Sequence, residues 1–158
     1  YARAGLAHRS FLALLVDFVS KHAAVLDPGQ IATIMWALAV LKAPAQPALE
    51  AIAVQLTASL LWTYELDELA SLLWAFAKFN WSEDVRLFAD MVHVVKLRFS
   101  ELSGESVANI LWGLTHLQSP ALEGARLELP AFAEDIDTVT DLIYQALCSR
   151  SVLLPDEA

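Results

Sequence analysis

One cysteine, Cys148, and five glycines in 158 residues leave little material for several common kinds of protein. A single thiol excludes an internal disulfide, and no Cys/His cluster has the spacing of a zinc site. There is no glycine-rich phosphate loop and no nucleophile elbow. Apolar residues make up 57% of the chain, but the longest apolar stretches, Ile31 to Leu41 and Ala51 to Leu61, fall short of the roughly 18 residues a membrane span needs. They read as buried helices. Basic residues are scarce, 10 Lys/Arg against 19 Asp/Glu for a net charge of −9, whereas phosphate backbones favour basic partners. The deficit is uneven: residues 1–122 hold 8 Lys/Arg against 11 Asp/Glu, and residues 123–158 hold 2 against 8. Most of the acidity is therefore C-terminal.

What is present is repetition. Trp36, Trp74 and Trp112 stand 38 residues apart and then 38 again, inside frames that align without a gap. These read Gln30-Ile-Ala-Thr-Ile-Met-Trp-Ala-Leu-Ala-Val-Leu41, Glu68-Leu-Ala-Ser-Leu-Leu-Trp-Ala-Phe-Ala-Lys-Phe79 and Ser106-Val-Ala-Asn-Ile-Leu-Trp-Gly-Leu-Thr-His-Leu117. A period of this size marks units that bury their apolar faces against one another. Asp27, with Pro28 at the first helical position and Gln30 three residues on, predicts a capping box; Ser103 and the weaker Glu65 take the equivalent place. Pro44, Ser82 and Pro120, again 38 apart, separate each first helix from a second. The second helices are expected over 46–61 and 83–98 and, less regularly, from Ala121.

The apolar register carries through these second helices: Phe11 corresponds to Leu49 and Leu87, Leu15 to Ala53 and Met91, and Phe18 to Leu56 and Val94. The segment 3–21 thus reads as the second helix of a preceding unit. Past Pro120 the pattern decays, with Arg150 where the next tryptophan belongs. Pro130 breaks the stretch, and a closing helix is expected over 133–149 with Glu134, Asp135 and Asp137 in its first turn, where the helix dipole favours anions.

The predicted class is all-α: an α-solenoid of helix-turn-helix repeats, about three and a half units plus a C-terminal capping helix. It forms a single helical-repeat domain over 1–158, with a half-unit at 3–23, repeats at 26–63, 64–101 and 102–128, and the cap at 133–149. The start at Tyr1 rather than Met points to a piece of a longer polypeptide.

The frame from Leu69 to Phe79, read with its 38-residue period, resembles the octotricopeptide repeat of algal and protist organellar RNA-binding proteins. It is also similar to the related repeats of proteins that carry RAP or FAST-kinase-like domains. The resemblance covers about Leu26 to Pro120. It implies an α-solenoid acting on single-stranded RNA, or within a ribonucleoprotein such as an organellar ribosome, in a mitochondrion or chloroplast. No RAP-like domain is visible, so the nuclease-like activity associated with that domain has no support.

Candidate recognition residues follow from the register. Thr33, Ser71 and Asn109 interrupt the apolar frame at one fixed position. On a helix they share a face with the small residues Ala37, Ala75 and Gly113 and with Val40, Lys78 and His116; Gln30, Glu68 and Ser106 extend it by a turn. Helical-repeat RNA readers use two or three side chains per unit on one face in this way. Lys42, Asn80 and Gln118 form a second equivalent set at the helix ends, suited to phosphate or sugar. The plainer reading makes the stripe a solvated surface. For Trp36, Trp74 and Trp112, ringed by aliphatic side chains, a core packing role is expected ahead of base stacking, while Trp62 and Trp81 lie outside the frame and are expected to be partly exposed.

Catalysis has little to recommend it. Asp90 and His93 are helix neighbours without a third partner, and Glu134, Asp135, Asp137 and Asp141 lack the glycine and terminal glutamate of a calcium loop. No metal, cofactor or small-molecule substrate is implied. Two functions remain: an RNA-binding helical-repeat module, or a protein–protein scaffold using the same groove or the acidic C-terminal region.

Overall fold

The computed structural model describes residues 8–81, 83–116 and 129–151, with side chains as far as Cys148. Ser82, Gln118, Pro120, the start of the half-unit and the helix expected from Ala121 lie outside these residues. Among the described residues eight α-helices run in chain order: α1 (Arg9–His22), α2 (Pro28–Val40), α3 (Gln46–Gln55), α4 (Ala58–Leu61), α5 (Leu66–Lys78), α6 (Val85–Leu97), α7 (Gly104–His116) and α8 (Pro130–Ser151). Short 3-10 turns follow α1 at Ala23–Val25 and α6 at Phe99–Glu101. Among the described residues there is no strand, and no helix is long and apolar enough to cross a membrane.

The predicted helix starts are built as their sequences require. At α2, Asp27 Oδ1 accepts the Gln30 N–H at 2.8 Å while Gln30 Oε1 accepts the Asp27 N–H at 3.2 Å. This reciprocal capping box satisfies two otherwise orphaned donors. At α7 the Ser103 hydroxyl accepts the Ser106 N–H at 3.2 Å, and at α5 Glu68 accepts the Glu65 N–H at 3.0 Å.

The helix ends repeat as closely as the starts. Lys42 (φ 51°) and Asn80 (φ 52°), 38 positions apart, both take the left-handed conformation. Around Lys42, its own N–H reaches Ala39 O at 3.2 Å and the Ala43 N–H reaches Leu38 O at 3.0 Å; around Asn80, its N–H reaches Ala77 O at 2.9 Å and the Trp81 N–H reaches Phe76 O at 3.1 Å. Both are Schellman closures, which turn the chain sharply and satisfy the last carbonyls. The residue after each left-handed one packs back on the helix. Trp81 does so against Phe76, ring centroids 4.9 Å apart.

Three sequence expectations are corrected. The helix over 46–61 breaks at Leu56, where the Thr57 hydroxyl accepts the Leu60 N–H at 3.4 Å and starts α4 afresh. The helix after Ser82 begins at Val85, because Asp84 accepts the Leu87 N–H at 3.0 Å and so caps it. The closing helix begins at Pro130, whose fixed φ and missing N–H suit a first helical position. Asp135 accordingly lies beyond the first turn and is buried.

Packing follows the chain. α5 lies between α2 and α7, α1 packs on α3, and α6 packs on α8. α5 accordingly buries residues around most of its circumference, among them Leu69, Leu72, Leu73 and Phe76. The buried cluster runs from Leu12 to Ile143, and full burial of each large aliphatic or aromatic side chain is worth about 1.5–3 kcal/mol.

Candidate functional site

The α2–α5–α7 row carries the sequence-predicted stripe on one surface. Thr33, Ser71 and Asn109 line one groove of about 330 Å³ with Trp36 and Ala32, and so meet across three helices. Thr33 is exposed, Ser71 and Asn109 half-buried. The Ser71 hydroxyl donates to Asp67 O at 2.9 Å, so its proton is committed to the helix backbone and its remaining hydrogen-bonding capacity is as an acceptor. The central small residues, Ala75 and Gly113, are buried where the helices approach.

Three carboxylates join this groove: Asp67, Glu68 and Glu105. Glu68 belongs to the predicted stripe; Asp67 and Glu105 do not, although they too lie 38 apart and were open to the same register argument. Hydrogen bonds from the Ser106 hydroxyl and from Ser103, against the opposing effect of partial burial, hold the Asp67 carboxyl below the usual range. It is anionic at neutral pH. Tyr64, buried beneath this edge, has its phenol pushed up to about 12, first by burial and then by the negative charges of Glu68 and Asp27. The helix-start edge of the groove is therefore electronegative.

The helix-end edge differs. Trp36, Trp74 and Trp112 are half-buried, beside the fully buried Met35 and Leu73 and the half-buried Leu111, and Trp74 packs against the core from its rim. Trp74 and Trp112 lie with ring centroids 5.6 Å apart. The Lys78 ammonium sits 4.9 Å from the Trp112 ring centre and 5.8 Å from that of Trp74, and the His116 ring stacks on Trp112 at 3.8 Å. Lys78 and His116 thus gather on an aromatic shelf.

The remaining candidates separate. Lys42 and Asn80 serve as left-handed helix ends, and Lys42 opens onto a different cavity of about 620 Å³ with Arg9, Leu12 and Val16. Trp62 is half-exposed as expected, whereas Trp81 is buried, correcting the expectation for it. His93 does not pair with Asp90 within its helix. Its Nδ1 lies 2.8 Å from Asp135 of α8, which Lys96 also contacts. Among the described residues no group of three or more His, Cys, Asp or Glu is placed to hold a metal.

No family model, curated protein or solved structure matches the chain.

Proposed function

We propose that this chain is a non-catalytic α-solenoid binding module whose units repeat every 38 residues, and that its groove holds a basic polypeptide segment within a larger assembly. The capping and Schellman closures at equivalent positions, and the α2–α5–α7 row, support the repeat reading. The observation that carries the choice of ligand is the groove's charge. Three carboxylates line it, where a phosphate backbone would meet repulsion and a Lys/Arg-rich segment attraction. Trp36 in the same groove offers an apolar wall for the stems of those side chains. The resemblance to octotricopeptide repeats supports an organellar setting, mitochondrial or chloroplast.

A second reading, single-stranded RNA, is favoured by the helix-end shelf, where Lys78, His116, Trp74 and Trp112 combine charge and stacking surface. Trp112 is already engaged by the stacked His116 ring and by the Lys78 ammonium, so a base stacking there has to compete with them.

Fluorescence anisotropy with a labelled Arg/Lys-rich peptide and a labelled mixed-sequence single-stranded RNA separates the two. Under the peptide reading, Glu105→Lys weakens peptide binding about tenfold, the 1.4 kcal/mol of one lost charge contact, and RNA does not compete. RNA that displaces the peptide, with an affinity lost in Lys78→Gln and unchanged in Glu105→Lys, selects the RNA reading and overturns the first.

A further inference from the structure

The turns that close α2 and α5 share one backbone and differ in what they bury. Ala43 and Trp81 stand 38 positions apart, and each follows a left-handed residue. Both are 5% exposed, and they donate their N–H groups to the carbonyls of Leu38 and Phe76 respectively. Trp81 fills the space beside its turn with an indole packed on Phe76 and Phe88. Ala43 brings a single methyl to the equivalent place.

The cavities beside the two turns record the difference. Beside Trp81 the remaining space is about 190 Å³, and its wall includes Glu50 and Val54 of α3. Beside Ala43 it is about 620 Å³, and the matching positions on α1 are Leu12 and Val16. With Arg9 and Ala13 these stand at i, i+3, i+4 and i+7 on one face of α1, opposite the turn 41–44. The volume falls within the roughly 300–1,000 Å³ of small-molecule sites, whose walls are mostly apolar with a few polar groups that fix orientation.

The charge inverts between the two copies. The smaller cavity carries Glu50, Glu83 and Asp84, and each has a partner: Gln46 Nε2 donates to Glu50 at 2.9 Å and to Glu83 at 3.2 Å, while Asp84 caps α6. The larger one carries no carboxylate and two cations, Arg9 and Lys42. Neither has an ion pair among the described residues, although acidic residues outnumber basic ones 19 to 10 along the chain. Two uncommitted cations beside an apolar cavity select an anion that brings its own apolar body.

We propose that the cavity between α1 and the α2–α3 turn binds a small aromatic carboxylate. Its ring takes the place that the Trp81 indole holds one unit later, and its carboxylate meets the Arg9 guanidinium and the Lys42 ammonium. Hydrogen bonds between such ions are roughly twice as strong as neutral ones. This site lies apart from the groove on α2, α5 and α7, and its occupancy is independent of what that groove binds.

Isothermal titration calorimetry on the intact chain, with indole-3-propionate as probe, tests the site. Saturable one-to-one binding is expected. The neutral amide of the same compound should bind at least about tenfold more weakly, and Arg9→Gln and Lys42→Asn should each weaken the carboxylate about tenfold, or about 1.4 kcal/mol. Lys42→Asn removes the charge while placing at the left-handed position the residue type that Asn80 already provides there. Ala43→Trp supplies the missing indole from the chain itself and should abolish binding, with circular dichroism reporting whether the helices are kept; if they are not, the two charge variants decide. Lys78→Gln is the control and should bind like wild type. No saturable binding, or binding unchanged in both charge variants, overturns the proposal. Loss of binding in Lys78→Gln overturns it by moving the ligand to the tryptophan shelf, and octanoate binding as tightly as indole-3-propionate overturns the aromatic assignment.

Discussion

Trp81 tests the packing logic most sharply, because two opposing terms meet in one side chain. It is 5% exposed and its ring lies 4.9 Å from that of Phe76 and 6.0 Å from that of Phe88. Its indole Nε1 is buried and finds no hydrogen-bond partner among the described residues. Truncating a buried tryptophan to alanine costs about 3–5 kcal/mol. Removing a buried, unpaired donor returns about 1–3 kcal/mol. Trp81→Ala should therefore destabilise by about 2 kcal/mol, lowering the melting temperature by about 4–8 °C at this chain length. Trp81→Phe keeps the ring contacts and removes the donor, so the smaller ring's loss is offset and stability should stay within about 1 kcal/mol of wild type. Urea denaturation of the three proteins measures both differences. If Trp81→Phe is as unstable as Trp81→Ala, the N–H is paired in solution and the offsetting term does not exist.

Other substitutions test the helix ends and the ion pairs. Lys42→Gly should stabilise by about 0.5–1 kcal/mol, since a left-handed backbone strains an L side chain and spares glycine, and Asn80→Gly should gain less because asparagine tolerates that region; the reverse order in denaturation midpoints counts against the strain argument. Gly113→Ala should raise stability by about 1 kcal/mol, because the added methyl meets Leu73 at an ordinary 3.5 Å and the equivalent positions already hold Ala37 and Ala75. A lowered melting temperature would show that the α5–α7 approach needs glycine. At Asp135 burial pushes the carboxyl up, but hydrogen bonds from Lys96 and His93 outweigh it and hold it below the usual range. Its stabilising effect is therefore complete above the unfolded value of about 3.9 and is lost as pH falls through the lower folded value. Wild type should lose stability more steeply than Asp135→Asn between about pH 5 and pH 2; parallel curves would remove Asp135 from the α6–α8 contact.

The helix starts were legible because capping is local chemistry. Asp27 with Gln30, and Ser103 three residues before Ser106, carry their partners within one turn, and each is found bonded as its spacing predicts. The break at Thr57 was harder to foresee, because an apolar helical pattern runs straight through it and only a hydroxyl turning back on Leu60 interrupts it. Asp135 was misplaced for a related reason. Taking Pro130 as a breaker put the carboxylate in a solvated first turn, whereas Pro130 as a first helical residue carries it a turn further and onto His93 and Lys96. Their separation from it, 42 and 39 residues, leaves no trace in any local window.

The tryptophans show what a period reports. The three tryptophans share an environment: Trp36, Trp74 and Trp112 are all half-buried on one side of the row. The period does not say which environment. Where 57% of a chain is apolar, the core fills before the apolar residues run out, and the one-residue step from Met35 to Trp36 turns a side chain by about 100° around the helix. At Met35/Trp36 and Leu73/Trp74 the smaller residue takes the interior and the larger one the rim. The same reasoning explains why the groove's acidity was only partly foreseen: Glu68 sat inside the recurring frame, whereas Asp67 and Glu105 preceded it, and Gly29 at the first copy of their position broke the pattern. On the proposed peptide-binding reading, the position that changes from Gly29 to Asp67 to Glu105 sets the groove's charge, so replacing Asp67 or Glu105 should change what the groove binds while leaving the helices intact.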